Sequence, residues 1–236
     1  MNDILYIICS ILILPVMIFA INASVKVRRI FEKHNSTYNE NNFTASEVAR
    51  AILDRAGLAH IAIKPIAGNL SDNYNPKEKT VFLSQSVINS RSVAAIGVAA
   101  HETGHAIQHA KGYIPLKLRS ALVPYAQIGS QLALPMLIIA FLFQGSAVIA
   151  PKAAEYIISA ALILFAATTL FTFVTLPVEF NASRRAKAIL QEGGILSAKE
   201  LSIASQVLNA AAQTYIASFA MSLLQLLRFF FLTRRR

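Results

Sequence analysis

Apolar residues occupy four long stretches of this chain, and none of the four contains Asp, Glu, Lys or Arg. The stretches are residues 4–25, 120–151, 156–178 and 201–227. A helix needs about 20 residues to cross the roughly 30 Å hydrocarbon layer of a membrane, so each stretch is long enough to span it. With 55% hydrophobic and 14% charged residues, the composition does not suit a soluble protein. The pattern predicts a mainly α-helical, multi-pass membrane protein.

Residues 26–119, between the first two apolar stretches, carry a different pattern. Residues 32–42 are polar and without period, which predicts a linker. Thr44 and Glu47 then have the spacing of a capping box and precede apolar residues at helical intervals, which predicts a short amphipathic helix. This region is therefore expected to fold outside the membrane.

Two further segments of this region have the composition of β-strands. Residues 61–66 and 80–84 are rich in apolar residues and flank a polar turn, which predicts a short hairpin or a two-stranded sheet. Two interpretations stay open: one strand lies along an active-site cleft and pairs with an extended substrate, or both strands simply pack against the next helix.

The most specific signal is the motif H-E-x-x-H, formed by His101, Glu102 and His105. Histidines four residues apart lie on one helix face about 6 Å apart along the axis, so both imidazoles can reach one zinc ion. Glu102 lies about 100° around the helix, beside the open position of the metal, where it suits a general base. Ser92 or Ser90 is the expected N-cap. The alternative is a buried structural helix, but buried histidines on an apolar helix need partners.

The formal net charge of +10 is arranged around the apolar stretches rather than in one patch for nucleic acid. Basic clusters at residues 26–33 and 184–187 follow different apolar stretches, and the positive-inside rule places both in the cytoplasm. The C-terminal cluster Arg228 and 234–236 would lie outside if the last stretch spanned the membrane. That helix is therefore predicted either to span or to lie in the interface. The lone Cys9 excludes an intrachain disulfide.

Glu179 reaches the membrane boundary on the predicted face of the H-E-x-x-H helix, where a third zinc ligand is expected. His-His-Glu is an established ligand set for catalytic zinc. The alternative is an interfacial carboxylate paired with a neighbouring arginine. Ser183, one turn later, either orients a ligand or packs as an ordinary helix residue. His109 continues the histidine series but lies about 12 Å along the axis from His101, which is too far for one ion.

Five segments together carry a family resemblance that covers most of the chain. They are T-A-S-E-V-A-R from Thr44, L-S-D-N-Y-N-P from Leu70, V-A-A-H-E-T-G-H-A-I-Q from Val98, L-P-V-E-F-N-A-S-R-R-A from Leu176 and A-A-A-Q-T-Y-I-A from Ala210. With these segments the chain resembles the bacterial YugP-type membrane zinc metallopeptidases, also called neutral zinc metallopeptidases. The resemblance implies zinc on His101 and His105, Glu102 as general base and Glu179 as third ligand.

Two departures accompany the resemblance. The chain is also similar to HtpX-like membrane peptidases, which usually place an Asp where Ser183 stands here. Members of the neutral zinc metallopeptidase family usually read D-H-Y-D-P where this chain has D-N-Y-N-P, with Asn73 and Asn75. Any chemistry contributed by that loop is expected to be weaker in this chain.

These observations predict five regions. They are an N-terminal transmembrane anchor (1–25), a cytoplasmic metallopeptidase region (26–119), a transmembrane hairpin (120–178), a cytoplasmic helix with the third ligand (179–200) and a C-terminal membrane-spanning or interfacial helix (201–236).

The expected protein is a zinc-dependent endopeptidase of the cell membrane, with one Zn²⁺ per chain in a small α+β zincin-like region on the cytoplasmic face. Its expected partners are a protein or peptide substrate and the lipid bilayer, and not nucleic acid. The alternative is a catalytically weak membrane adaptor that retains zinc. A metal transporter fits poorly because His101 and His105 lie outside the four apolar stretches.

Overall fold

The computed structural model describes residues 1–143 and 150–234, and these residues form six helices and three strands. The helices are α1 (Asn2–His34), α2 (Ala45–Arg55), α3 (Val93–Ala110), α4 (Ile114–Phe143), α5 (Pro151–Glu192) and α6 (Ala198–Thr233). The strands are β1 (Ala62–Ile66), β2 (Asn73–Asn75) and β3 (Thr80–Ser84). Residues 144–149 of the second apolar stretch, and Arg235 and Arg236 of the C-terminal cluster, lie outside the described residues.

The chain divides into two compact units. The first consists of Met1–Ile21, Leu118–Leu176 and Tyr215–Arg236, and the second of Asn22–Lys117 and Pro177–Thr214. Helices α1, α4, α5 and α6 are each long and apolar enough to cross a membrane. As far as the structure describes them, the four apolar stretches lie in these helices, which confirms the prediction of four candidate spans.

Close contacts between helices hold the first unit together. A Cβ atom on Gly129 of α4 would lie only 2.5 Å from the carbonyl oxygen of Leu164 on α5, so only glycine allows this approach. Between α5 and α6, Thr169 Oγ1 lies 2.8 Å from Ser222 Oγ. Small residues and paired hydroxyl groups are the usual means of joining helices in lipid, where the hydrophobic effect between helices is weak.

Helix α4 excludes one of the two forms predicted for the second apolar stretch. Pro124 and Pro135 predicted a kinked or a re-entrant span, and α4 is helical throughout Ile114–Phe143 with both prolines inside it. The described part of this stretch is therefore not re-entrant. A backbone that left the helix would expose unpaired polar groups to lipid, which costs more than the hydrogen bond that each proline removes.

The sheet of the second unit is larger than predicted. It has three strands in the order β1-β3-β2, with β1 parallel to β3 and β2 antiparallel to β3. The two predicted strands are neighbours, but they do not form the expected hairpin. The hairpin partner of β3 is β2, whose sequence N-Y-N has too few apolar residues to be recognised as a strand. Its position at the edge of the sheet allows polar side chains to stay exposed.

The predicted linker also proves to be more ordered than expected. Helix α1 continues to His34, and Tyr38 then forms a β-bridge with Ser92. Asn39 is buried, and its Nδ2 donates hydrogen bonds to the carbonyl oxygens of Phe43 at 2.8 Å and Arg91 at 2.7 Å. A side-chain amide can replace the backbone partners that a strand would supply, so the polar sequence did not indicate disorder.

Helix α3 lies at the centre of the second unit. Ser92 caps it as predicted, since its Oγ accepts a hydrogen bond from the Ala95 amide at 3.1 Å. The predicted capping box of α2 is also present, with Thr44 and Glu47 bonded to each other. Of the 18 residues of α3, 14 are buried, so its polar side chains must find their partners inside the protein.

Candidate metal centre

Helix α3 brings the three residues of the H-E-x-x-H motif together. The rings of His101 and His105 are edge to face, with centroids 4.7 Å apart. One potential ligand atom from each of His101, Glu102 and His105 can be chosen so that all three lie within 4.8 Å of one another. Because His101 and His105, four residues apart, project from one face of α3 and Glu102 lies about 100° around the helix beside them, this arrangement follows directly from the local sequence.

Glu179 comes from α5 and completes the cluster. Its Oε2 atom lies 3.2 Å from His101 Nε2 and 3.4 Å from His105 Nε2, and the residue is only 3% exposed. The structure therefore places Glu179 against both histidines of the motif. Arg185, one of the arginines considered as its ion-pair partner, donates its Nε to Asn181 at 2.8 Å.

A close approach of α3 to α5 makes this meeting possible. Gly104 lies between the two motif histidines, and a Cβ atom there would be 2.9 Å from the carbonyl oxygen of Ala182. Gly104 and Ala182 thus let the backbones of α3 and α5 touch. The point of contact is next to His105 on α3 and three residues after Glu179 on α5. A larger side chain at position 104 would hold α5, and with it the carboxylate, farther from α3.

Each histidine has a second partner on its other ring nitrogen. Ser183 Oγ lies 3.1 Å from His101 Nδ1, and Gln108 Oε1 lies 3.0 Å from His105 Nδ1. Such contacts fix the orientation of an imidazole and leave its Nε2 free to bind a metal. Of the two interpretations of Ser183, the contact with His101 favours a residue that orients a ligand.

The tautomer of His105 follows from the contacts of Gln108. The Nε2 amide group of Gln108 donates to the carbonyl oxygen of Val178 at 2.8 Å and to Asn181 Oδ1 at 3.0 Å, so its Oε1 must accept from His105 Nδ1. A neutral His105 then turns the lone pair of Nε2 toward the Glu179 carboxylate. This contact is favourable when a cation lies between the two groups, or when Nε2 carries a proton that it donates to the carboxylate.

The distances test whether that cation can be zinc. Ligand atoms about 2.0–2.1 Å from a tetrahedral zinc ion are about 3.3 Å from one another. The separations of 3.2 and 3.4 Å between Glu179 Oε2 and the two Nε2 atoms have this length. Burial is the largest single influence and would lower the pKa of His105, but Glu179, Glu102 and Gln108 together outweigh it and raise the pKa. The pocket thus attracts positive charge, and its donors fit zinc.

Glu102 occupies a different environment from Glu179. It is 8% exposed, and burial raises the pKa of its carboxyl group, an effect that His101 and His105 only partly offset. The nearby carboxylates of Glu179 and Asp72 raise the pKa of Glu102 further. A carboxylate whose pKa is raised is a stronger proton acceptor than an ordinary glutamate.

The loop that departs from the family pattern also reaches this region. Asp72 accepts hydrogen bonds from the amide of Ser84 at 2.7 Å and from its hydroxyl, although burial raises the pKa of Asp72 overall.

The Tyr74 hydroxyl lies 2.9 Å from Nδ1 of His109, which is exposed. His109 thus pairs with the sheet, whereas the contacts around Glu179 involve His101 and His105. Asn73 is exposed and Asn75 bonds within its own turn.

Sequence reasoning missed two residues of the centre, Gln108 and Asn181. Gln108 is fully buried and joins the His105 ring to the backbone of α5 through Val178. One signal was available: Gln108 lies three residues after His105 on an otherwise apolar helix. A buried glutamine needs hydrogen-bond partners for both its carbonyl oxygen and its amide nitrogen. No comparable signal marked Asn181, because its role depends on where α5 lies.

Two comparisons with known proteins found matches that cover most of the chain. Residues 9–234 match the model of a family described as "Putative neutral zinc metallopeptidase". The chain is also similar to the "Putative membrane protease YugP" of Bacillus subtilis (strain 168), with 41% identity over 207 residues that cover 88% of each chain. No solved structure matches the chain.

The substitution Gly104→Ala tests the helix approach. Its Cβ would meet the Ala182 carbonyl oxygen at 2.9 Å, so the backbones must separate, at a cost of about 1–3 kcal/mol. We expect a lower midpoint of thermal unfolding. Gly97→Ala is the comparison on the same helix: its Cβ would lie 3.2 Å from the Cβ of Ala204, a tight contact that a small shift can relieve, so we expect a smaller loss than for Gly104→Ala. Helix propensity alone would raise the midpoint in both variants, and an equal rise would contradict the account.

Proposed function

This chain belongs to the neutral zinc metallopeptidase family, and from that premise we propose that it is a membrane-embedded, zinc-dependent endopeptidase. The observation that carries the proposal is the convergence of Glu179 on His101 and His105, with buried Glu102 beside them. The four apolar helices and the similarity to the "Putative membrane protease YugP" of Bacillus subtilis support a membrane location.

The proposed zinc ligands are His101 and His105 of α3 and Glu179 of α5. One zinc ion per chain supplies Lewis-acid chemistry, since it polarises a carbonyl oxygen and lowers the pKa of water. Ser183 and Gln108 hold the two imidazoles through their Nδ1 atoms, at 3.1 and 3.0 Å, so that both Nε2 atoms keep a fixed direction.

Glu102 is the proposed general base and general acid. Its carboxylate takes a proton from the attacking water and later gives a proton to the amine that leaves when the peptide bond breaks. Its burial serves this role, because burial raises the pKa of the carboxyl group and so makes its carboxylate a stronger base. A zinc site with only a structural role would gain nothing from this buried acid.

The sheet supplies a place for the substrate. Strand β2 contacts α3 through Tyr74 and His109, and in the described chain its pairing partner is β3 alone. Its other edge can pair with an extended peptide by main-chain hydrogen bonds. This arrangement favours the interpretation in which a strand lines the cleft. The proposed substrate is therefore an extended or unfolded segment of a protein.

Glu102→Gln tests the chemistry. The amide keeps the size of the side chain but cannot take up a proton, so cleavage should fall by about 10²-fold or more while zinc stays bound. The assay is cleavage of fluorescently labelled, denatured casein by the full chain in non-ionic detergent, with zinc measured by elemental mass spectrometry. Near-normal cleavage by the zinc-loaded variant would remove the proposed mechanism. A zinc-loaded wild type with no cleavage would support the adaptor instead.

Glu179→Ala and His109→Ala form a matched pair that tests the ligand set. Glu179→Ala removes a ligand that lies 3.2–3.4 Å from both imidazoles, so bound zinc and activity should be lost. His109→Ala removes an exposed side chain bonded to Tyr74, so zinc should remain. Zinc content and thermal unfolding are measured for both variants. Loss of zinc from His109→Ala and its retention by Glu179→Ala would show that the site is wrongly assigned.

We further propose that the metal centre faces the cytoplasm of the cell, because basic clusters on two separate segments favour that orientation. Single cysteines at the exposed positions Ser36 and Arg184, in a Cys9→Ser background, should react with a membrane-impermeant maleimide only after cells are opened. A cysteine at the exposed Lys152 serves as the control. The same orientation places this turn between the second and third apolar stretches outside the cell, so position 152 should react in intact cells. Labelling of position 36 or 184 in intact cells would overturn this orientation.

A further inference from the structure

A cavity of about 510 Å³ lies in the second unit between α2, α3 and α5, and the proposed mechanism does not use it. Its lining contains three cations, Arg55, Lys111 and Arg185. The other seven lining residues are apolar, with Leu58, Ile107 and Ile189 among them. The volume is within the range of about 300–1,000 Å³ that is usual for pockets that bind small molecules.

The charged side chains of the lining are all cations. The lining contains neither an acidic side chain nor an uncharged polar one. Within the part of the chain that the structure describes, none of the three cations has a carboxylate within ion-pair distance. Arg55 and Lys111 are exposed at the mouth of this cavity and Arg185 is half-buried, so a ligand with a negative charge and an apolar body matches the lining.

The position of Arg185 distinguishes a binding site from ordinary helix chemistry. Arg55 and Lys111 lie at the C-terminal ends of α2 and α3, where cations are favoured by the helix dipole. Arg185 lies inside α5, away from either helix end, and unlike Arg184 of the same basic cluster it is half-buried and lines the cavity. Its Nε donates to Asn181 Oδ1 at 2.8 Å, which holds the guanidinium in place and leaves its terminal nitrogens available to an anion.

From this combination we propose that the cavity binds an anionic amphiphile, an alkyl chain with a carboxylate or phosphate head group. The head group lies among the three cations, and the chain packs on the aliphatic walls. A peptide is a poorer occupant because the lining side chains include donors but no acceptor for its N–H groups. An alkyl chain has no such need, and a membrane protein meets such molecules both as free fatty acids and as anionic phospholipids.

The test uses the full chain purified in non-ionic detergent and the fluorescent fatty acid cis-parinaric acid as probe. The wild type should bind it saturably. Arg185→Gln should weaken binding about tenfold or more, because it removes a charged hydrogen-bonding partner. Ala188→Leu, which places extra volume in the cavity wall, should weaken binding as well. Arg184→Gln is the matched control, since this neighbour is exposed and does not line the cavity.

Competition identifies the chemistry and the source of the ligand. Oleate should displace the probe, whereas oleyl alcohol and inorganic phosphate should not, because each lacks one half of the required chemistry. In nanodiscs, displacement of the probe by phosphatidylglycerol but not by phosphatidylcholine would make the bilayer the source, and a lack of effect would make free fatty acid the source. Both results support the proposal.

The proposal is overturned if the probe does not bind the wild type, or if Arg184→Gln weakens binding as much as Arg185→Gln. It is also overturned if oleyl alcohol competes as well as oleate, or if a peptide with an apolar C-terminal residue displaces the probe and oleate does not. Arg185→Lys keeps the charge and should retain most of the binding. Thermal unfolding of every variant shows whether it is folded, so a loss of binding can be assigned to the cavity.

Discussion

The candidate site depends on one close contact between two helices. Gly104 of α3 lies against the backbone of Ala182 on α5, where a Cβ atom would be 2.9 Å from a carbonyl oxygen. This contact brings the Glu179 carboxylate within 3.4 Å of imidazoles that lie 78 and 74 residues earlier in the chain. A glycine in the middle of a helix weakens that helix by about 1 kcal/mol relative to alanine. Here its cost is offset by the approach that it permits.

Because the polar side chains of the site are buried, they need hydrogen-bond partners inside the protein. Histidine, glutamate, glutamine and serine side chains lie together among alanines and valines, where an unpaired polar group is costly. Gln108 shows how fully the demand is met, because its amide contacts His105, the Val178 carbonyl group and Asn181 at the same time. Satisfied networks of this kind are rigid, and rigidity is what a metal centre with fixed ligand directions needs.

Local sequence predicted what depends on local geometry. The caps of α2 and α3 and the clustering of His101, Glu102 and His105 follow from spacings of three or four residues. The parallel pairing of β1 with β3 did not follow, because register between strands depends on the tertiary fold. The same holds for Asn181, which becomes important only once α5 lies beside Gln108. Glu179 was an intermediate case. The basic cluster that follows it predicted the side of the membrane on which it lies, whereas its contacts with His101 and His105 depend on how α5 packs against α3.

Zinc X-ray absorption spectroscopy on the full chain, loaded with one equivalent of zinc, tests the central claim most directly. The account predicts two imidazole nitrogens and otherwise oxygen ligands, all at about 2.0–2.1 Å, with no sulfur. A spectrum with three imidazoles would bring a histidine other than His101 and His105 into the centre. A spectrum with one imidazole or none would contradict the assignment of the site to the H-E-x-x-H helix.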